Sequence, residues 1–137
     1  MSNIKNFEDL KCWKACRELS RFVSKLVKKI PRDEYDFKDT IRRAARSTTR
    51  NIAEGYERFH FQENSQFCLQ SRGSLYEVWD DLITCDDESY ISKVEFEESK
   101  SIVNKALAIL NGYINYLQSS KEKISNEKTR ISDTIND

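Results

Sequence analysis

The sequence predicts an all-α protein, an antiparallel up-down-up-down four-helix bundle. Three observations carry that expectation. Only 3 Gly and 1 Pro occur in 137 residues, which starves turns and leaves long uninterrupted segments. Apolar residues recur at spacings of three and four in four successive stretches, the period of a helix with one buried face. The breaks between those stretches are short, and four helices with short connections have one dominant arrangement. A chain of this length is most economically one domain with a core that needs no staples. Residues 1–118 are assigned to the bundle and 119–137 to a polar tail, either a frayed helix extension or disordered.

The first helix is expected over residues 8–30. Cys12, Cys16, Leu19, Val23, Leu26 and Ile30 form its apolar line, with Ala15, Phe22 and Val27 widening it, and Pro31 ends it. The second is expected over residues 37–56 or slightly beyond, along Phe37, Ile41, Ala44, Thr48, Ile52, Gly55 and Phe59. Arg42, Arg46 and Arg50 line another side of it. Ala44 and Thr48 are small enough to let a neighbour come close, and Gly55 marks a helix end or a tight backbone contact.

The third helix is expected over residues 63–85, with Phe67, Ser71, Ser74, Val78, Leu82 and Cys85 on one face and Leu75 beside them. Asp86-Asp87-Glu88-Ser89 breaks it, early rather than late, because acids are unfavourable at a helix C-terminus. The fourth, over residues 93–117, carries two apolar lines: Val103, Leu107, Leu110, Ile114 and Leu117, and Ile102, Ala106, Ile109, Tyr113 and Tyr116. One line seats a helix in a small bundle. The second implies a broad intrachain seat or another subunit, so Ile102, Ala106, Ile109, Tyr113 and Tyr116 form the candidate oligomer interface. Gly112 costs up to about 1 kcal/mol inside a helix, which suggests a close neighbour. Ile124 and Ile131 continue the seven-residue spacing from Leu117.

The N-terminal Met-Ser-Asn-Ile-Lys-Asn has no apolar leader core, and no run approaches the ~20 apolar residues that span a bilayer. A cytoplasmic protein is therefore expected, with Cys12, Cys16, Cys68 and Cys85 as reduced thiols that pack as small apolar groups. Cys12 and Cys16 share a helical face, but His60 is the single histidine, so a metal or redox site there lacks ligands and no cofactor is expected. There is no Gly-rich phosphate loop, no nucleophile–His–acid set and no Glu-x-x-His, so the chain reads as non-enzymatic. Trp13 and Trp79 are anchors of a core or an interface.

The formal net charge is zero, but residues 1–60 carry 15 Lys/Arg against 9 Asp/Glu and residues 61–137 carry 8 against 14. This fits two complementary halves, or a molecule with one basic side. If helices two and three turn back near residue 60, residues whose numbers add to roughly 121 lie level. Arg43 and Arg46 then fall near Glu77, Asp80 and Asp81, which favours structural ion pairs over phosphate binding. The candidate nucleic-acid residues are Arg42 and Arg50 together with a second strip on helix one, Lys14, Arg17, Arg21, Lys25 and Lys28, where Glu18 is the nearby acid. That strip is the better candidate for RNA or a membrane surface. Asn51 and Glu54, one turn apart, are matched by Ser74 and Glu77 on helix three, and the four are expected to form an interhelical polar network that fixes register.

Three marks carry a family resemblance: Phe7-Glu-Asp-Leu-Lys-Cys-Trp13 with Ala15; Ile41-Arg-Arg-Ala-Ala-Arg-Ser47 followed by Asn51-Ile-Ala-Glu-Gly-Tyr56; and Gly73-Ser-Leu-Tyr-Glu77. The chain resembles, over roughly residues 7–117, the four-helix-bundle family encoded in intervening sequences of bacterial 23S rRNA genes. It departs from the family pattern in Ser47-Thr48-Thr49-Arg50, where the family has a proline at the position of Thr49, and at Ser71 and Val78. The resemblance implies a ring-like homo-oligomer, a pentamer, similar to the accessory variability proteins of diversity-generating retroelements, which bind nucleic acid and a reverse transcriptase. It supplies no catalytic residues. The expected role is a self-associating scaffold or binding module for structured RNA. One alternative is an adaptor that docks a protein such as a reverse transcriptase through helix four, and a second is a metal or redox enzyme using Cys12 and Cys16.

Overall fold

The computed structural model describes residues 3–136, and side chains over residues 3–120. Four helices account for the bundle: α1 (Lys11–Leu26), α2 (Tyr35–Glu57), α3 (Phe61–Asp87) and α4 (Lys93–Asn136). Short 3-10 turns at Phe7–Asp9 and Val27–Lys29 flank α1. Among the described residues there is no strand.

Local chemistry sets the boundaries. The first helix begins three residues later than expected because the Asp9 carboxylate folds back to accept from the N–H groups of Lys5 (2.9 Å) and Asn6 (3.1 Å). That closes a separate turn, and Leu10 is extended before α1 starts. Ile30, ahead of Pro31, is extended as well. The third helix ends two residues later than expected. Its C-terminus is a Schellman motif in which Tyr90 N–H reaches Cys85 O (2.9 Å) and Ser89 N–H reaches Asp86 O (3.1 Å). Ser89 supplies the left-handed residue at φ 59°. Lys93 Nζ lies 2.8 Å from Asp86, offsetting the misplaced acid. A capping box opens α4: Glu95 N–H donates to Ser92 Oγ (3.1 Å) and Ser92 N–H to the Glu95 carboxylate (3.0 Å).

Each helix packs on its sequence neighbours, and α1 also packs on α4, so the four close a ring around one core. The expected register of α2 and α3 holds: Ser74 Oγ meets Ser47 Oγ at 2.8 Å and Ser71 Oγ donates to Thr48 O at 2.8 Å. The antiparallel register of α1 and α4 brings Lys29 level with Glu95 and Lys105 level with Glu18.

The core contains the whole first apolar line of α1, then Ile41, Ala44, Ala45 and Ile52 of α2, Cys68, Leu75, Val78, Leu82 and Cys85 of α3, and Val103, Ala106, Leu110, Ile114 and Leu117 of α4. Several positions of the expected apolar lines fall elsewhere. Phe59 lies past the end of α2 and is fully exposed (100 %), and Phe37, Phe67 and Leu107 are half-buried, with Ala106 inside beside Leu107. The second helix runs through Thr49 without interruption, and the hydroxyls of Thr48 and Thr49 bond back to the carbonyls of Ala45 (2.6 Å) and Arg46 (3.2 Å).

Gly55 lies in close contact with α3: a Cβ there would lie 2.7 Å from Asn64 Oδ1 and 2.9 Å from Phe67 Cβ. A Cβ at Gly112, where a close neighbour was expected, would have none within 4 Å among the described residues. The side chains of Ile124 and Ile131 lie outside the described residues. No helix of the described residues is long and apolar enough to cross a membrane.

Candidate nucleic-acid interface

The seam between α1 and α4 holds the main cationic feature. Lys14, Arg17, Arg21 and Lys25 are spaced by three and four along α1, so one face presents all of them, and all are exposed. With Lys29 they rim a groove of about 650 Å³ floored by Phe22, Leu26 and Ile102. Arg17 lies over the Trp13 ring at 5.9 Å, and Phe7 meets that ring edge-on at 5.4 Å. Lys28 is exposed on the 3-10 turn beyond α1 and does not line the groove.

The groove contains more acid than the sequence suggested, because α4 brings Glu95 and Glu98 beside Glu18. Two of these carboxylates are engaged. Lys29 hydrogen-bonds Glu95, which with the Ser92 N–H pulls the Glu95 carboxyl down to about 2, and Lys105 pairs with Glu18 at 3.2 Å. Lys14, Arg17, Arg21 and Lys25 have no ion pair among the described residues.

Two further depressions continue the seam. A shallow one of about 260 Å³ shares Lys14 and Glu18 with the groove and adds Lys11, Lys105 and Ile109. Beyond it, a cleft of about 540 Å³ is lined by Ile4, Leu10, Cys12, Gly112, Tyr113 and Tyr116, and shares Lys11 and Ile109. The Tyr113 and Tyr116 rings are near-parallel (23°) with centroids 6.2 Å apart. The hydroxyl of Tyr113 accepts from Asn64 Nδ2 at 3.1 Å, and burial pushes its pKa up to about 12.

The α2 arginines do not join this surface. Arg42 is half-buried and Arg50 exposed on a helix outside the seam. The expected ion pairs from Arg43 and Arg46 to α3 are not made among the described residues. Arg43 instead holds Asp39 of its own helix at 2.7 Å, one turn away on the same face. Glu77, Asp80 and Asp81 are left crowding one another. Burial, then the charges of Asp80 and Glu77, push Asp81 up to about 6.

The polar network exists with a changed membership. Asn51 Nδ2 donates to Ser47 O and Oγ, both at 2.9 Å, and Ser47 meets Ser74, so Asn51 and Ser74 are joined through Ser47. Glu54 and Glu77 are exposed and take no part, since long carboxylates reach water more cheaply than a closely packed helix seam. Sequence reasoning missed Asn64, a buried residue that links Cys68 (3.6 Å) to Tyr113. Its signal was position: Asn64 precedes Cys68 by one turn and lies level with Gly55.

The residues of the candidate oligomer interface lie at different depths. Ala106 is fully buried in its own bundle, and Ile102, Ile109 and Tyr113 are half-buried in the α1–α4 seam. The doubled line of α4 thus serves a broad intrachain seat, leaving Tyr116 as its exposed member (47 %). All four cysteines are buried, and desolvation raises their pKa values to about 11 or 12, so they are protonated thiols. Among the described residues no group of three or more His, Cys, Asp or Glu is placed to hold a metal ion.

Compared with known families, residues 8–112 match the model described as 23S rRNA-intervening sequence protein. No curated protein matches the chain.

Proposed function

We propose, from the premise that this chain belongs to the 23S rRNA-intervening sequence protein family, that it is a non-enzymatic, self-associating helical bundle that binds structured RNA. The observation that carries the RNA reading is the run Lys14, Arg17, Arg21 and Lys25, held on one exposed helix face while two of the three seam acids are tied to Lys29 and Lys105. Phosphate binding draws on cations that are not already paired, because affinity comes from releasing the nucleic acid's counterions. The single histidine, His60, is exposed at the α2–α3 junction, and every thiol is buried and protonated, which supports a binding role over chemistry.

A surface of α3 also suits self-association. Leu69, Tyr76 and Ile83 follow one another at seven-residue spacing on the outward side of α3, with Tyr76 55 % exposed. Gly73 lies among them, and nothing within 4 Å among the described residues accounts for a glycine there. A second copy meeting that face would use both features.

Fluorescence anisotropy with a labelled stem-loop RNA tests the first part. Affinity is expected to fall about a hundredfold from about 50 to 200 mM salt, and reversing charge at Arg21 and Lys25 together should weaken binding and flatten the slope. Absent or salt-independent binding would count against RNA. Light scattering tests the second part: an oligomer is expected that Tyr76→Glu dissociates, and a monomer throughout the micromolar range would refute assembly.

A further inference from the structure

We infer that the α1–α4 seam is a track for single-stranded RNA, with an unpaired base seated in the cleft at Gly112, Tyr113 and Tyr116 and the phosphates carried past Lys11, Lys14, Arg17 and Arg21. This rests on the RNA reading above and specifies that the unpaired segments of a structured RNA are what this surface takes.

The first support is continuity. The aromatic cleft, the shallow depression and the cationic groove share lining residues in turn, Lys11 and Ile109 and then Lys14 and Glu18, so they form one path along the seam. From Lys11 to Lys25 the path follows α1 for about 21 Å, which suits the smaller single-strand sites of ~4 nucleotides.

The second support is the change of chemistry along that path. The groove offers cations above a narrow apolar floor. The cleft offers apolar and aromatic surface with Lys11 at its edge. A polyanion alone explains the groove and leaves the cleft without a use. A duplex does the same, because its bases are stacked inside and it presents only its backbone and groove edges. A strand with exposed bases uses both ends, since a base has a π-face for a tyrosine and its phosphates have charge for the lysines and arginines.

The third support is the construction of the cleft. Tyr113 is held through its hydroxyl by Asn64, and Tyr116 lies beside it with nearly half its surface in solvent. Gly112 precedes this pair on the same helix, and a Cβ there would meet nothing within 4 Å. No packing among the described residues demands a glycine at that place, while a larger side chain would project into the cleft. The cleft volume of about 540 Å³ exceeds what one base needs and falls in the ordinary range of small-molecule sites.

The experiment compares a labelled, unstructured RNA of about 12 nucleotides with the same strand annealed to its complement. The full-length protein is used, and thermal melts verify that each variant folds. Wild type is expected to prefer the single strand by about tenfold. Tyr116→Ala and Gly112→Leu should each cost about tenfold for the single strand, with little change for the duplex, while Tyr116→Phe binds as wild type. Arg21→Glu should weaken both forms and reduce the salt slope. If Arg21→Glu weakens binding but Tyr116→Ala and Gly112→Leu do not, the RNA reading stands and the base seat is overturned. Equal binding of both forms, or displacement of the RNA by polyglutamate as effectively as by unlabelled RNA, also overturns it. If neither form binds at low salt, the RNA reading itself has failed and this inference fails with it.

Discussion

At Gly55 the space that a side chain would need is already taken by Asn64 and Phe67 of α3. Gly55→Ala must therefore push two helices apart, and a loss of about 1–3 kcal/mol is expected from overpacking. Gly112→Ala has open space and should instead stabilise by up to about 1 kcal/mol through helix propensity. Urea midpoints of the two variants check this, and equal shifts would contradict it. Asp81 makes a second prediction at this scale. Its folded pKa of about 6 stands above the ordinary carboxyl value of 3.8, so the folded chain binds this proton more tightly than the unfolded one. Stability should then rise as pH falls from about 7 through 6 towards 4. Asp81→Asn should raise stability at neutral pH and flatten that interval, and an unaltered pH profile would refute the assignment. Glu95 acts in the opposite sense at lower pH. Its contribution is present above the ordinary carboxyl value of 4.5 and is lost as pH falls through its folded value of about 2.

Among the elements, the α3–α4 connection carries the clearest lesson about local rules. The left-handed position that closes α3 is filled by Ser89, where a residue with a Cβ costs roughly 1–2 kcal/mol. Ser89→Gly is expected to recover about 1 kcal/mol, read as a raised midpoint of thermal unfolding, and a lowered midpoint would show that the serine side chain matters for another reason. Four helices, their order and the level pairing of α2 with α3 were legible in the sequence, because spacing and short breaks determine them. The ends were less so. Asp9 and Lys93 shift a boundary through side-chain contacts that no periodicity records. Polar residues were harder still: Asn51 and Ser74 share a network with Ser47, but spacing alone did not separate them from Glu54 and Glu77, whose longer chains reach solvent. The α1 strip was legible as a basic face. Its aromatic continuation was not, since it needs α4 laid against α1.

For the molecule as a whole, the opposite charges of the two halves do not act mainly as an adhesive. Two ion pairs cross between them among the described residues, Lys29 with Glu95 and Lys105 with Glu18, and they run in opposite senses of charge. Such partly exposed pairs contribute little to stability. The imbalance is instead expressed as a cationic path on one side and an acidic cluster at Glu77, Asp80 and Asp81 on another. A polyanion approaching this bundle therefore meets an orienting field before it meets any particular side chain.

The burial of all four thiols has a consequence for the protein's lifetime in an oxidising setting. Cys12, Cys16, Cys68 and Cys85 are nearly inaccessible and protonated, so neither alkylating agents nor peroxide reach a thiolate while the helices stay closed. Chemical damage is thereby gated by conformational opening. An oxidised core sulfur would be too polar to pack again, so the molecule's resistance to oxidants is set by how often its bundle breathes.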